Sequence, residues 1–325
     1  MTHADELKFS QLSGWQSDDM HEVWSSWQKS CHALRKKQQP KWINLCDQAD
    51  KITPTRTNIR HYFERYFTLK LLTNTDGSSE GLITGYYEPV LRGSQQKNSV
   101  YKYPIYKKPT DSTLLKLSRK QIETHAEKFR DDVLLWTDNP YDLFFLHVQG
   151  SGQVELANGQ RKALVYADNN GHEYTSIGKV LIKQGAIKKE ALSLQTLKTW
   201  LNNNPAQATT ILQQNQRYIF FDLIDIPEQQ SGPRGSLNVA LTPQRSIAID
   251  PRYVPPGSPV FLQTTLPDDG TQARIFNRLV FAQDTGAAIK GKIRADVFFG
   301  QGAQAKFLAG NMNQQGKMYL LQPRY

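Results

Sequence analysis

The chain has 325 residues, 38% of them hydrophobic, and a mean hydropathy of −0.58, which argues against an integral membrane protein. Its apolar runs are all shorter than the roughly 18 residues that a membrane-spanning helix needs. The net charge of +10 predicts an acidic or polyanionic partner, but the basic residues are spread and accompany no nucleic-acid-binding motif. A nucleic-acid role is therefore disfavoured, an anionic polymer such as an envelope glycan stays open as a partner, and the length predicts two domains.

The first part of the chain is predicted to be helical. Apolar and aromatic residues, including Trp27, recur at helical spacing over residues 17–38, and Pro40 should end this helix. A second helix is predicted over about residues 55–72, where aromatic side chains form a stripe. These aromatic side chains are best interpreted as core.

From Gly81 onward, the pattern changes to short strands with Gly and Pro turns, followed by helices. Asn158-Gly159 is a strong hairpin signal, and Ser176 is a candidate N-cap. The predicted strands are 82–89, 101–106, 142–148, 153–156 and 162–167, and the predicted helices are 176–187, 192–201 and 205–214.

The segment Glu228–Gly235 has the composition of a linker. Six further strands are predicted beyond it, with one helical piece near residues 304–308. They are 237–241, 245–249, 260–266, 275–283, 293–299 and 318–322. Short strands of this number with Gly and Pro turns predict a small closed barrel.

Cys31 and Cys46 are the only cysteines, fifteen positions apart. They could close a disulfide loop worth about 3 kcal/mol, or they could be two free thiols in a reducing compartment. No histidine cluster or second cysteine pair completes a zinc site. The N-terminus lacks the basic and apolar segments of a secretion signal, so either the protein is cytosolic or the sequence begins after a removed signal.

Asp284 opens an Asp-Thr-Gly sequence, the motif of aspartic proteases, in which two such loops share one proton. The chain holds one copy, so a protease would have to dimerise, and Gln283 is polar where that motif usually has an apolar residue. The competing interpretation is a turn aspartate that accepts hydrogen bonds from its own loop. The protease hypothesis is therefore disfavoured.

Two further aspartates flank this motif. Asp296 precedes an apolar stretch and a glycine loop, where partial desolvation would raise its pKa and suit it to act as an acid near neutral pH. The alternative, a strand-edge residue facing water, is favoured by the residues alone. Asp250 precedes Pro251, a pairing typical of turns, and is interpreted as structural.

The loop Gln149-Gly-Ser-Gly152 offers an amide, a hydroxyl and open backbone N–H groups, which suit a hydroxyl-rich or amide-rich ligand. It lacks the Gly-Lys-Ser/Thr ending of a phosphate loop, and Ser151 lies directly between two glycines, unlike the serine of a nucleophile elbow. An ordinary tight turn is the alternative. No histidine spacing supports a metal site, and no cofactor is predicted.

Taken together, several segments resemble the membrane-bound lytic transglycosylase A family of peptidoglycan-cleaving enzymes. The resemblance runs in order over about residues 81–322 and is weaker before residue 80. The segments that carry it are Thr84-Gly-Tyr-Tyr-Glu-Pro89, Tyr103-Pro-Ile-Tyr106, Val148-Gln-Gly-Ser-Gly152, 170–182, Val254-Pro-Pro-Gly257, and Asp284-Thr-Gly-Ala followed by Asp296.

The resemblance implies a mainly β protein with α helices and two domains. Residues 1–89 and 229–325 would form a double-psi β-barrel with N-terminal helices, and residues 90–228 a smaller, inserted β-rich domain. A groove between the two would hold a glycan strand.

The resemblance also implies cleavage of the β-1,4 bond between N-acetylmuramic acid and N-acetylglucosamine without water, giving a 1,6-anhydro sugar. Asp296 matches the single catalytic acid, which then acts as base, and Asp284 would support it. The implied glycan contacts are Thr84, Tyr86, Gln149, Ser151, Gly152, Ser176 and Lys179.

The resemblance further implies a periplasmic lipoprotein, anchored in the outer membrane by a segment not present in this sequence. In that oxidising compartment, Cys31 and Cys46 would form a disulfide. The implied partners are peptidoglycan glycan strands and proteins of cell-wall synthesis or remodelling. The competing hypothesis is a double-psi barrel module that binds glycan without cutting it.

Overall fold

The computed structural model describes residues 7–38, 40–226, 232–267 and 274–324. Its helices are α1 Met20–Lys36, α2 Pro40–Ala49, α3 Arg56–Tyr66, α4 Ser112–Leu115, α5 Arg119–Thr124, α6 Pro140–Gln149, α7 Ile177–Lys183, α8 Leu194–Asn203, α9 Pro205–Leu212 and α10 Gly302–Asn311. Its strands are β1 Phe67–Leu71, β2 Gly81–Tyr86, β3 Val90–Ser94, β4 Tyr103–Tyr106, β5 Val133–Thr137, β6 Gly152–Leu156, β7 Arg161–Asn169, β8 Ile219–Asp225, β9 Ser246–Ile249, β10 Pro259–Thr265, β11 Ile275–Thr285, β12 Ala295–Phe298 and β13 Asn313–Pro323.

The described residues group into two compact units. Those of 7–86, 234–300 and 307–324 form the first, which we call the barrel unit, and those of 87–226, 232–233 and 301–306 form the second, which we call the insert unit. The predicted linker Glu228–Gly235 is only partly visible, because residues 228–231 lie outside the described ranges. None of the described helices has both the length and the hydrophobicity to span a bilayer.

The barrel unit contains a closed ring of strands in the order β13–β10–β11–β9–β12–β2, with β2 pairing back onto β13. Two of the pairings are parallel, β9 with β11 and β2 with β12. β1 pairs with β13 outside the ring. The predicted closed barrel is thus confirmed, but one predicted member was wrong: residues 237–241 contribute only an isolated bridge, and β2 is the sixth strand.

The N-terminal helices cover one side of the barrel with an aromatic core. Trp27 of α1 stacks on Phe281 of β11 at a ring distance of 5.9 Å and packs edge-on against Phe63 and Phe67. A disulfide joins Cys31 of α1 to Cys46 of α2, with the two Cα atoms 5.4 Å apart. Burial of large aromatic side chains, each worth a few kcal/mol, fixes these helices on the strands.

Two other predicted elements were wrong. The helix expected over residues 55–72 ends at Tyr66, and the chain continues as β1, because Phe67 is already extended and the residues after it alternate between buried and exposed. The strand expected over 142–148 is part of helix α6. Asn139 caps that helix by accepting from two backbone N–H groups, and Gly150, with φ of 83°, ends it.

The insert unit is built on a sheet in the order β4–β5–β3–β6–β7–β8, in which β3 and β6 are parallel. β6 and β7 form the predicted hairpin across Asn158 and Gly159. The three helices predicted after it are confirmed as α7, α8 and α9. Helices α7 and α9 end earlier than predicted, and α8 lies two residues later in the chain. Helix α7 begins at its predicted cap, where the Ser176 hydroxyl accepts from the backbone N–H of Lys179.

Candidate active site

Two barrel strands bring Asp296 against Thr84. β12 and β2 pair in parallel with Asp296 opposite Thr84 and Phe298 opposite Tyr86. The Thr84 hydroxyl donates to Asp296 Oδ1 over 2.6 Å. Residues 84 and 86 are two apart on one strand, so their side chains lie on the same face. β2 therefore presents one hydroxyl and one phenol to the ends of the neighbouring strands.

Gly85, between these two residues, allows β2 to approach the following segments closely. A Cβ atom at this position would lie 2.5 Å from the Phe299 ring and 3.1 Å from the Cα of Ala309. Any side chain here would push β2 away from the chain that follows Asp296. The glycine thus keeps Thr84 and Tyr86 at hydrogen-bonding distance from their partners.

Asp284 lies at the end of β11, where the pairing with β9 shifts register between Ala282 and Asp284. Such a bulge re-aims a side chain. Asp284 Oδ2 accepts from the Tyr86 hydroxyl at 2.9 Å, and Oδ1 accepts from the backbone N–H groups of Ser236 and Thr285 at 2.8 and 2.9 Å. This carboxylate is therefore held by three donors, whereas Asp296 has one side-chain donor.

Burial raises the pKa of Asp296 above its usual value, since the charged form is desolvated. The hydrogen bond from Thr84 and the charge of Arg294 oppose this rise, and the negative charge of Asp284 adds to it. Burial also raises the pKa of Asp284, against the effect of its donors. Burial and Asp284 raise the pKa of Tyr86 well above its usual range, so Tyr86 stays a hydrogen-bond donor.

Asp250 ties down the loop between β11 and β12. Its carboxylate is buried, pairs with the Arg252 guanidinium at 2.6 Å and accepts from the backbone N–H of Gly291 at 2.9 Å. The bonds from Arg252 hold the pKa of Asp250 far below its usual value. A carboxylate so firmly ionised does not suit proton transfer at neutral pH, and its contacts fit the structural role predicted for it.

The other predicted ligand contacts lie in the insert unit. Gln149 ends α6, and its side-chain oxygen accepts from the backbone N–H of Tyr87 at 3.3 Å. Ser151 and Gly152 follow directly, at the start of β6. Ser176 is half-buried at the cap of α7, whereas Lys179 is exposed. Local capping and turn geometry position these residues.

Sequence reasoning missed several polar groups. Ser236 donates its backbone N–H to Asp284, a contact that no side-chain pattern reveals. Glu88, in the quoted Thr84–Pro89 motif, is a buried carboxyl whose pKa is raised by burial and which accepts hydrogen bonds from Gln153 and Gln301. Arg294 lies two residues before Asp296. Within the described ranges, no group of three or more His, Cys, Asp or Glu residues is placed to hold a metal ion.

Comparison with known proteins gives matches over most of the chain. A family model described as "MltA specific insert domain" matches residues 82–222, and one described as "3D domain" matches residues 245–322. Membrane-bound lytic murein transglycosylase A of Escherichia coli K12 is 34% identical over 247 residues, which are 73% of this chain and 64% of that protein. The alignment thus spans less than two thirds of that relative's length.

Solved structures match at nearly full length. A lytic transglycosylase of Burkholderia pseudomallei, LtgG, is 39% identical, with a TM-score of 0.67, over 98% of this chain and 95% of that one. Escherichia coli MltA with bound chitohexaose is 27% identical, with a TM-score of 0.74, over 93% of this chain and 90% of that one.

Proposed function

The chain belongs to the family of membrane-bound lytic murein transglycosylase A, and we propose that it cleaves peptidoglycan without water, at the β-1,4 bond between N-acetylmuramic acid and N-acetylglucosamine. One observation carries the proposal. Asp296 is a carboxyl whose pKa is raised by burial and which receives a hydrogen bond from Thr84 across paired barrel strands. Proton transfer by a single group, used twice, fits this arrangement.

In the first step, protonated Asp296 donates its proton to the glycosidic oxygen as the bond to C1 breaks. The leaving N-acetylglucosamine takes that proton on its O4 atom. A raised pKa keeps a larger share of Asp296 protonated near neutral pH, which favours this role.

In the second step, the C6 hydroxyl of the muramyl residue attacks C1, and the Asp296 carboxylate accepts the hydroxyl proton. The product is a 1,6-anhydro sugar, and Asp296 regains its starting state. The Thr84 hydroxyl, 2.6 Å away, stabilises the carboxylate between the two steps. Because the nucleophile belongs to the substrate, this reaction needs neither a water nor the second carboxylate that hydrolytic glycosidases use.

Asp284 supports the reaction as a fixed negative charge. Burial raises the pKa of Asp284, and its donors Tyr86, Ser236 and Thr285 oppose that rise and favour the ionised form. Ionised Asp284 stabilises positive charge that develops at C1, and it also raises the pKa of Asp296. The two carboxyls are thereby given different tasks by their surroundings.

The glycan contacts are Thr84 and Tyr86 in the barrel unit together with the insert-unit residues Gln149, Ser151, Gly152, Ser176 and Lys179. Thr84 and Tyr86 already donate to the two carboxylates, so they combine substrate contact with positioning. The relative crystallised with chitohexaose supports a binding site for a β-1,4-linked amino-sugar chain.

We assign the protein to the periplasm, attached to the outer membrane by a lipid anchor, with wall-synthesis or remodelling proteins as partners. The name of the relatives, membrane-bound lytic murein transglycosylase A, supports membrane attachment. The positive net charge of +10 suits a wall polymer that carries carboxylates.

The test is mass spectrometry of purified peptidoglycan after incubation with the protein. The expected muropeptides are lighter by one water than the products of hydrolysis, and Asp296→Asn should yield none above background. Products of hydrolytic mass would contradict the anhydro mechanism and direct attention to Asp284. Binding to peptidoglycan with no product would favour a non-catalytic glycan-binding module instead.

A further inference from the structure

The segment that joins Asp284 to Asp296 is strongly basic. Residues 285–295 read Thr-Gly-Ala-Ala-Ile-Lys-Gly-Lys-Ile-Arg-Ala, with three cations and no carboxylate. Lys290 is exposed, and Arg294 is half-buried. A positively charged segment beside two carboxyls attracts an anionic ligand.

Arg294 is fixed against the strands that carry the proposed catalytic groups. Its Nη1 donates to the backbone carbonyl of Ala295 at 2.6 Å and, more weakly, to that of Leu82 at 3.4 Å. Leu82 lies on β2, two residues before Thr84, so the guanidinium is anchored at the β2–β12 pair. No hydrogen bond from Nε or Nη2 of Arg294 reaches another described residue, which leaves one edge of the fork for a ligand.

The guanidinium of Arg294 forms no ion pair with the described residues. Across the described ranges, no carboxylate lies within the 4.0 Å of an ion pair with this guanidinium. Burial lowers the pKa of Arg294, and the charge of Asp296 opposes that effect. When Asp296 is protonated, as the first reaction step requires, this compensation disappears. A half-buried guanidinium with a free edge then suits a carboxylate from outside.

We propose that Arg294 binds a carboxylate carried by the muramyl residue of the substrate, and so distinguishes muramyl-containing glycan from uncharged amino-sugar chains. The inference rests on the proposed function, because it takes its ligand from that substrate. The carboxylate has two sources: the lactyl group of a peptide-free muramyl residue, or the peptide attached to that group. The chemistry at Arg294 is the same for both.

Binding measurements on an inactive protein test this contact separately from cleavage. Asp296→Asn serves as the parent, because its neutral amide imitates protonated Asp296. Arg294→Gln and Arg294→Lys are added to it, and Lys70→Gln, an exposed cation on β1, is the matched control for lost charge. Calorimetric titrations use chitohexaose, a peptide-free muramyl oligomer, the same oligomer as its methyl ester, and a peptide-bearing oligomer.

We expect Arg294→Gln to weaken binding of the free-acid oligomer by about tenfold to a hundredfold, the effect of one charge-assisted hydrogen-bonded contact. Binding of chitohexaose and of the methyl ester should change less than about twofold, since neither carries the anion. Arg294→Lys should recover part of the loss, because it keeps the charge without the planar fork. Lys70→Gln should behave as the parent.

The pattern of losses identifies the source of the carboxylate. A loss confined to the peptide-bearing oligomer supports the proposal with the peptide as source, and a loss confined to the peptide-free acid supports it with the lactyl group. Equal losses for chitohexaose and for the anionic oligomers, or no loss for any of the oligomers, overturn it. If Arg294→Gln lowers the thermal unfolding midpoint, the comparison rests on Arg294→Lys and on the acid-to-ester ratio of the parent, which must favour the acid.

The failure of this inference is distinguishable from failure of the proposed function. If the wild-type protein forms no anhydro product but Arg294→Gln selectively weakens binding of the free-acid oligomer, the proposed activity is contradicted and the proposed contact is supported. If the wild-type protein forms anhydro ends but Arg294→Gln does not selectively weaken binding of the free-acid oligomer, the proposed activity is supported and the proposed contact is contradicted.

Discussion

The carboxyl of Asp296 in the barrel unit and the guanidinium of Arg119 in the insert unit are held in opposite ways. Asp296 is held by a side-chain donor from a residue 212 positions away in sequence, and no other described residue donates a hydrogen bond to its carboxyl. In the insert unit, Arg119 is fully buried, and its guanidinium is used up by the carbonyls of Asn215 and Arg217 and by the His147 ring. Asp296 is thus suited to proton transfer, whereas Arg119 stabilises the fold of the insert unit.

The contrast shows how reactivity is separated from support. A satisfied buried cation, with its faces against Phe144 and Tyr218, links α5 to the segment before β8 and has little capacity left. Burial raises the pKa of Asp296, which accepts a hydrogen bond from Thr84 and can exchange a proton. We therefore expect substitutions at the barrel carboxyls to change turnover, and substitutions at the insert loops to change substrate affinity.

The largest expected effect is that of Asp296→Asn on turnover. Asp296 gives and accepts the proton, so its loss should lower kcat by about a hundredfold to ten-thousandfold, while glycan affinity is retained. Release of 1,6-anhydro ends from peptidoglycan measures the first quantity, and calorimetry with chitohexaose the second. Turnover at the wild-type rate by a folded Asp296→Asn protein would remove Asp296 from the mechanism.

Removal of the disulfide should be the largest change in stability. Cys31 and Cys46 close a loop with a sequence separation of 15, so Cys31→Ser with Cys46→Ser should lower the free energy of unfolding of the barrel unit by about 3 kcal/mol. Urea unfolding followed by tryptophan fluorescence measures the change, with hydrogen exchange in β6 and β7 as the internal control in the insert unit. Equal losses in both units would show that they unfold together.

Tyr86→Phe tests the support given to Asp284. It removes one of three donors while the ring remains against Phe298, at a centroid distance of 5.2 Å. A hydrogen bond to a charged group is worth about 1.5–3 kcal/mol, so kcat should fall by about tenfold or more. Tyr166→Phe, at an exposed phenol of the insert unit, is the matched control. A rise in KM with unchanged kcat would make Tyr86 a binding residue only.

Thr84→Val tests the pKa of Asp296. The Thr84 hydroxyl stabilises the charged form and so lowers that pKa, against the effect of burial. Its removal should therefore raise the pKa, and the loss of activity on raising the pH should begin at a higher pH. The pH profile of kcat/KM measures the shift. A shift toward lower pH would contradict the assignment of that limb to Asp296.

The fold could be predicted where its pairings are local in sequence. The neighbouring barrel strands and the hairpin at Asn158-Gly159 show alternating apolar residues and turn residues, which can be recognised in the sequence. β2 was missed as the sixth barrel strand because its partners, β12 and β13, lie far along the sequence and leave no local trace. The sequence of residues 142–148 predicts a strand rather than helix α6, because a short apolar run fits either element. Its cap residues, Asn139 and Gly150, carried the missing signal.

The site is predictable to a similar extent. Asp284 and Asp296 stand out by motif and resemblance, but the pairing of Thr84 with Asp296 depends on a parallel register that only the fold supplies. The backbone N–H of Ser236 reaches Asp284 from a residue 48 positions away in sequence, a contact that leaves no local pattern in the chain. Arg294 reads as one more basic residue until the backbone carbonyls that hold it are known.

The smallest expected effect is that of Gln149→Ala in the insert unit. The Gln149 side chain accepts from the Tyr87 amide at 3.3 Å, a long hydrogen bond that contributes little, so the variant should fold normally. Loss of one neutral hydrogen bond to glycan should raise KM about fivefold, with kcat unchanged, since the proton-transfer groups lie in the barrel unit. Gln160→Ala, at the exposed hairpin turn, is the matched control. If Gln149→Ala instead lowers kcat as strongly as Tyr86→Phe, the division of turnover and affinity between the two units is wrong, and Gln149 acts on the bond being broken.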